Sequence, residues 1–299
     1  MKSPLHPLAL LLPLLLACTP PPPAPKPQPR YTIGQPYEMG GVWSYPREDF
    51  ALRETGLATV VPDPRPGRVT ADGEIYDPVL LTAAHRTLQL PAILLVTNLE
   101  NGLSLRVRVN DRGPAQPGRV VALSRRAAEL LGVSAGGTQV AIAVDPDLSR
   151  SLSAGLPQPE APRIAIETAP REAVQAESLA PPPGTQAAER VRQGRGPATM
   201  AAVAVEPVVQ AVPDQLPEAV SQGHARPGQL YVQASTFTTR SAAQRQAARI
   251  GGARVEVTGS GRSAEYRVRL GPYGSVAQAD AGLEMVRRSG VSDARILVD

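Results

Sequence analysis

Proline most limits what this chain can become: 33 prolines are spread over 299 residues in which aromatics make up only 3%. A single large core would contain more Phe and Trp, and proline-rich polar stretches bury too little apolar surface to offset the entropy of ordering them. The chain therefore reads as two small cores joined by long spacers. From Asp145 to about Pro227 the residues are mostly Pro, Ala, Gln, Glu and Ser with no sustained period, the pattern of a disordered linker assigned here to residues 146–225. Short Ala/Val runs such as Met200 to Val205 have nothing to bury against.

The first residues carry Lys2 and then an apolar run to Ala17 that is shorter than a membrane-spanning helix, which marks residues 1–17 as a signal peptide. Its end, Leu15-Leu16-Ala17-Cys18, resembles the bacterial lipobox, in which the cysteine is acylated and becomes the mature N-terminus. The proline-rich tether TPPPPAPKPQP follows at once, and residues 18–30 are assigned to it. Thr19 stands where an Asp retains lipoproteins in the inner membrane, so the resemblance implies attachment to the periplasmic side of the outer membrane. With Cys18 the only cysteine, no intrachain disulfide and no cysteine zinc site can form. Of His6, His85 and His224 only His85 falls in a segment expected to fold, so no metal centre and no cofactor are expected. The net charge of +4 and pI near 9.5 suit a polyanionic partner without specifying nucleic acid.

Residues 31–145 alternate short apolar runs with turn signals, as a small β-rich domain does. Ile93 to Asn98 and Leu103 to Asn110 form a predicted hairpin around Asn101-Gly102. A strand is expected over Arg119 to Leu123, then a helix capped by Ser124 and closed by Gly132, then a last strand from Gln139 to Val144. Residues 226–299 read as strand, helix, strand, strand, helix, strand, with both helices on one face of a four-stranded antiparallel sheet. Val232, Ala234, Val268 and Leu270 are expected to pack beneath the helices. Tyr231, Gln233, Ser235, Arg267 and Arg269 are expected on the opposite face.

Three segments could carry chemistry. Glu74 lies in TADGEIYD, where by itself it reads as a solvated turn residue. Asp111 leaves a buried strand in NDRGP, where by itself it reads as the cap of a turn with a local ion pair. His85, in LTAAHRTL, by itself reads as a structural hydrogen-bond donor before a catalyst.

Together with VTNLENG and GRVVALSRRAAELLGV, and in this order and spacing, these segments resemble the double-psi β-barrel of the rare lipoprotein A family, septal lytic transglycosylases. The upstream PYEMGGVWSYPRED is similar to that family's lead-in. LYVQASTFTTRSAAQRQA and EYRVRLGPYGSVAQADAGLE are similar to the SPOR domain, which binds peptidoglycan strands stripped of peptides. The resemblance implies that Glu74 and Asp111 are the two catalytic carboxylates, that His85 is a third cleft residue, and that the substrate is naked glycan cut to 1,6-anhydro-muramyl ends. It implies glycan contact by Tyr231, Gln233, Ser235, Arg267 and Arg269, enrichment at the division septum, and septal cell-wall enzymes as protein partners. Nucleic-acid binding is not expected, because related RNA-binding sheets carry stacking aromatics where this chain has Gln and Arg. The chain departs from the family at Ala58-Thr59-Val60-Val61-Pro62, in place of Ala-Ser-Trp-Tyr-Gly, and at Ala122, in place of an Asp. A non-catalytic, peptidoglycan-binding septal lipoprotein with the same two folds is the alternative.

Overall fold

The computed structural model describes residues 25–63, 65–158 and 215–299. The signal peptide, Cys18 and residues 159–214 of the expected linker lie outside the described residues.

A short hairpin, β1 (Tyr37–Met39) and β2 (Val42–Ser44), precedes the first domain. The domain itself consists of β3 (Arg53–Val60), β4 (Thr82–Ala84), β5 (Ala92–Asn98), β6 (Leu103–Asp111), β7 (Arg119–Leu123) and β8 (Thr138–Val144), with helix α1 (Arg125–Leu131) before the last strand. Neighbours run β4-β7-β3-β8-β5-β6, and β4 pairs again with β6, so six strands close into a barrel. The β3–β7 and β4–β6 pairs are parallel and the others antiparallel. Alternation along the strands turns Val96, Leu105, Val107, Val109, Val121, Leu123, Val140 and Ile142 into the interior. Each such side chain contributes roughly 1.5–3 kcal/mol when fully buried.

Local signals set the joints. Ser124 Oγ accepts the Ala127 N–H at 3.3 Å and donates to the Leu80 carbonyl at 2.6 Å, so one hydroxyl caps α1 and ties it to the chain before β4. Gly132, at φ 68°, closes the helix. The orphan Leu131 carbonyl is filled by Asn98 and Asn101 amides from the β5–β6 hairpin, at 2.8 and 3.0 Å.

The expected linker is shorter than its composition suggests. Helix α2 (Pro146–Ala154) continues from the barrel, capped by Asp145, whose Oδ1 accepts the Leu148 N–H at 3.2 Å. Ser149 Oγ accepts the Ile93 N–H at 2.9 Å and Leu152 is buried. The Asp-Pro start and two well-placed contacts hold a nine-residue helix that is too short to show a sustained period. At the far end β9 (Ser221–Gln222) adds to the outer edge of β6.

The second domain comprises β10 (Leu230–Phe237), α3 (Arg240–Ile250), β11 (Arg254–Thr258), β12 (Glu265–Tyr273), α4 (Val276–Arg288) and β13 (Arg295–Val298). Its antiparallel sheet has the order β11-β12-β10-β13. Ala243, Ile250, Ala279, Leu283 and Val286 from the helices share one core with Val232, Ala234, Val268 and Leu270, as the alternation predicts. Gly282 lets α4 pass over Tyr273: a Cβ there would lie 2.2 Å from the phenol oxygen.

The two domains are joined by more than the chain between them. Leu57 of β3 is fully buried in the second domain's core, and Thr55 Oγ1 donates to the Val298 carbonyl at 2.6 Å. The Arg119 guanidinium, almost fully buried, grips Asp280 of α4 through two hydrogen bonds of 2.7 and 2.9 Å. Asp280→Ala leaves that buried cation with the Gly136 carbonyl at 3.0 Å as its remaining partner. The expected loss is about 1–3 kcal/mol in urea unfolding, with a larger radius of gyration in small-angle scattering as the domains part.

Candidate functional site

The carboxylates sit where barrel closure disturbs the β6 ladder. Ala83 pairs with Val109 but Ala84 pairs with Asp111, so Asn110 is the extra residue of a bulge at the end of β6. The bulge lets two consecutive side chains serve the turn formed by residues 68–74. Asn110 Nδ2 donates to Glu74 Oε2 at 2.8 Å, and Glu74 Oε1 meets the buried Arg108 guanidinium. Asp111 Oδ1 accepts the Ala71 N–H at 3.1 Å and the Arg112 N–H at 2.9 Å, while Oδ2 pairs with Arg68. Arg68 in turn lies 4.5 Å from the centroid of the buried Tyr76 ring.

Glu74 and Asp111 are thus held on one turn and one strand end, each with a guanidinium partner and a polar donor. Both keep part of their side chains exposed, at 19% and 15%. Glu74 borders a cavity of about 120 Å³ whose other wall includes Gln215, Leu216 and Glu218, residues assigned by composition to the linker.

His85 is adjacent through the backbone but faces elsewhere. Its N–H donates to the Asp111 carbonyl at 3.1 Å, while its Nδ1 accepts the N–H groups of Thr87 and Leu88, both at 3.2 Å. That leaves the proton on Nε2. Burial, with the Arg112 and Arg86 cations adding to it, lowers the imidazole pKa to about 3, so the ring is neutral throughout the physiological range. The ring borders a different cavity from Glu74, one bounded by the β1–β2 hairpin and β13. Glu74 and Asp111 are both tied to the end of β6, whereas His85 borders the other cavity, its Nδ1 pinned by its own turn.

Sequence reasoning missed Asp72, Arg68, Arg108 and Asn110. Asp72 is fully buried; its Oδ1 accepts Thr70 Oγ1–H at 2.7 Å and the Glu74 N–H at 3.1 Å, whereas Oδ2 has no partner. Burial and then the Glu74 charge push its pKa up to about 7. A charged Arg108 between buried Val107 and Val109 was the available signal, since a buried guanidinium needs an anion. Ala122, the departure before α1, is buried opposite Ala84, the residue before His85.

On the second domain the sheet face is altered by its register. Gln233 pairs with Arg269, but a bulge then sets Ser235 against the buried Val268 and Thr236 against Arg267. Thr236, not Ser235, shares the face with Gln233, and its Oγ1 accepts from Gln233 Nε2 at 3.2 Å. The expectation for Ser235 is corrected accordingly. Arg269 is not a free cation: it is buried between Asp299 and Glu256, with Gln233 Oε1 at 3.4 Å and the Tyr231 ring centroid at 5.7 Å. Its place on a strand inside the sheet surrounds it with partners. Arg267, near the strand's start, pairs with Glu265 at 3.1 Å and stays partly exposed.

A protein-family model described as lytic transglycolase matches residues 55–142, and the SPOR domain model matches residues 227–296. The two matches fall on the barrel and on the second sheet, so the molecule is of the class that couples a double-psi β-barrel to a SPOR domain. The endolytic peptidoglycan transglycosylase RlpA of Pseudomonas aeruginosa (strain PAO1) is 35% identical over 263 residues, 84% of this chain and 73% of that protein. The proteins of the same name from Yersinia pestis and Escherichia coli K12 are each 43% identical, over 113 and 105 residues. Those spans cover 36% and 34% of this chain and 31% and 29% of the relatives. A crystal structure of the RlpA SPOR domain from Pseudomonas aeruginosa is 23% identical and aligns with a TM-score of 0.22, over 23% of this chain and 99% of that one. The chain belongs to the RlpA, or rare lipoprotein A, family.

Asp72 gives this site a measurable pH signature. Between about pH 4 and pH 7 the folded chain holds a proton on Asp72 that the unfolded chain has released, so stability falls as pH rises through that window. Asp72→Asn keeps the Oδ1 acceptor and removes the ionisation. In urea unfolding over a pH series, its stability relative to wild type is expected to be level near pH 4 and to rise toward pH 7, by about 1.4 kcal/mol per pKa unit of the upward shift.

Proposed function

We propose that this chain is an endolytic lytic transglycosylase that cuts peptide-free peptidoglycan strands at the division septum, held by Cys18 to the periplasmic side of the outer membrane. What supports the reading best is that two carboxylates are fastened to the end of β6, Asp111 as its last residue and Glu74 through Asn110. Glycosidic cleavage needs a proton delivered to the leaving oxygen and a base, or charge stabilisation, for the oxocarbenium-like centre. In this reaction C1 loses its glycosidic oxygen, which takes up a proton. The C6 hydroxyl of the same sugar bonds to C1 as its own proton leaves, closing the 1,6-anhydro ring. Glu74 and Asp111 are the groups that exchange these protons, while the neutral His85, on a different cavity, takes no part in the transfer. The relatives' name, endolytic peptidoglycan transglycosylase, agrees with this reaction. In Glu74→Gln and Asp111→Asn, anhydro-muramyl products from naked glycan strands are expected to fall by about 100-fold or more in mass spectrometry, with the fold intact by circular dichroism.

The second reading, a barrel that binds glycan without cutting it, draws on Ala122 and on the absence of aromatics from Ala58 to Pro62. A folded wild-type chain that binds strands and releases no anhydro products would establish it.

The SPOR domain recruits the chain to peptide-free glycan through Gln233, Thr236, Tyr231 and Arg267, with Arg269 setting the positions of Gln233 and Tyr231. Gln233→Ala is expected to weaken co-sedimentation with naked glycan several-fold, a cost of roughly 0.5–1.5 kcal/mol, without unfolding the sheet. Septal enrichment of a fluorescent fusion should fall in parallel.

A further inference from the structure

We propose that the barrel and the SPOR domain share a composite glycan subsite, built on Trp43 and Tyr45, that passes one strand from the SPOR sheet face to the His85 side of the barrel. The proposal rests on the reading of the chain as a glycan-binding protein and adds where between the domains the strand is held.

A cavity of about 450 Å³ opens between the β1–β2 hairpin, the start of β3, the turn at His85 and the edge strand β13. Trp43, the chain's only tryptophan, lies at its rim 56% exposed, and Tyr45 is 65% exposed. Two exposed aromatics beside a cavity are the surface on which the apolar C–H face of a sugar ring stacks. They are not on a loose arm. Arg86, the residue after His85, donates to the Met39 carbonyl at 3.2 Å, to Ser44 Oγ at 3.3 Å and to the Ala115 carbonyl at 3.3 Å. Tyr37 returns a hydrogen bond to the Arg86 carbonyl at 2.9 Å. The aromatic hairpin is thereby fastened to the turn that sets His85.

The opposite wall belongs to the SPOR sheet. On β13, Arg295 pairs with Gln233 and Leu297 with Tyr231, and directly paired residues project to the same face. Arg295 and Leu297 thus carry the face of Gln233 and Tyr231 to the rim of this cavity. The Thr55–Val298 and Arg119–Asp280 contacts hold both walls together. Arg47 and Arg295, 73% and 55% exposed, have only exposed or long contacts, to Asp49 at 3.4 Å and Glu54 at 3.6 Å. Exposed pairs of this kind are weak and are readily exchanged for a ligand. Aromatic planes flanked by available guanidinium groups suit an amino-sugar strand that carries free carboxylates, the chemistry of muramyl residues without peptide.

Because Trp43 is the only tryptophan, its emission reports this subsite directly in the full chain. Titration with peptide-free glycan oligosaccharides is expected to give a saturable change in Trp43 emission, with Arg295→Ala shifting the midpoint several-fold. Trp43→Ala and Tyr45→Ala are expected to raise KM several-fold, with a smaller effect on kcat and unchanged circular dichroism. Binding by co-sedimentation with no change in emission, or wild-type KM in both variants, overturns the subsite and leaves the proposed reaction untouched. A saturable emission change without anhydro products overturns the reaction and upholds the subsite. No binding in either assay overturns both.

Discussion

The parallel pairing of β4 with β6 is the contact on which the site depends. It closes the barrel, and closure requires a bulge because the two strands meet with unequal residue counts at Ala83–Ala84 and Val109–Asp111. From that irregularity follow the reach of Asn110 to Glu74, the docking of the Ala71 N–H on Asp111, and the backbone bond that brings His85 alongside. A barrel without this pairing would keep most of its hydrophobic interior and lose the relation among all three residues.

Charge burial then sets the state of each group. Arg108 is nearly buried and Glu74 is its counter-ion, so the two stabilise each other where either alone would be costly. Asp72 lies next to them with one oxygen unpartnered and shares no guanidinium hydrogen bond, so desolvation prevails and raises its pKa. His85 answers to the same physics with the opposite sign: burial among Arg112 and Arg86 disfavours its cation. The site therefore holds ion-paired carboxylates, a carboxyl that retains its proton up to neutral pH and a neutral imidazole within two short segments.

The second domain uses its arginines differently. Arg269 is absorbed by Asp299, Glu256 and Gln233 and acts as an internal brace, while Arg267 and Arg295 stay open to solvent on the same sheet. A basic composition therefore overstates the charge available to a ligand. Arg119 is a further case, since its guanidinium is occupied by the interdomain grip on Asp280.

Much was legible in the sequence because local patterns carry it. The Asn-Gly hairpin, the Ser124 cap, the Gly132 stop and the period-two alternation of Leu105, Val107 and Val109 depend on neighbours a few residues away. The helix-strand order of residues 226–299 is encoded in the same way, and the family motifs single out Glu74, His85 and Asp111. What only the tertiary structure decided depends on register and on long-range partners. One extra residue in β6 and another in β10 determine that Asn110 serves Glu74 and that Thr236 replaces Ser235, and a bulge has no signature in single-residue propensity. The helix after Asp145, the burial of Asp72, the separate cavity of His85 and the meeting of Trp43 with Arg295 all require chain segments distant in sequence. Composition and periodicity report only on neighbours along the chain, so these features become visible once the barrel has closed and the second sheet has docked on β3.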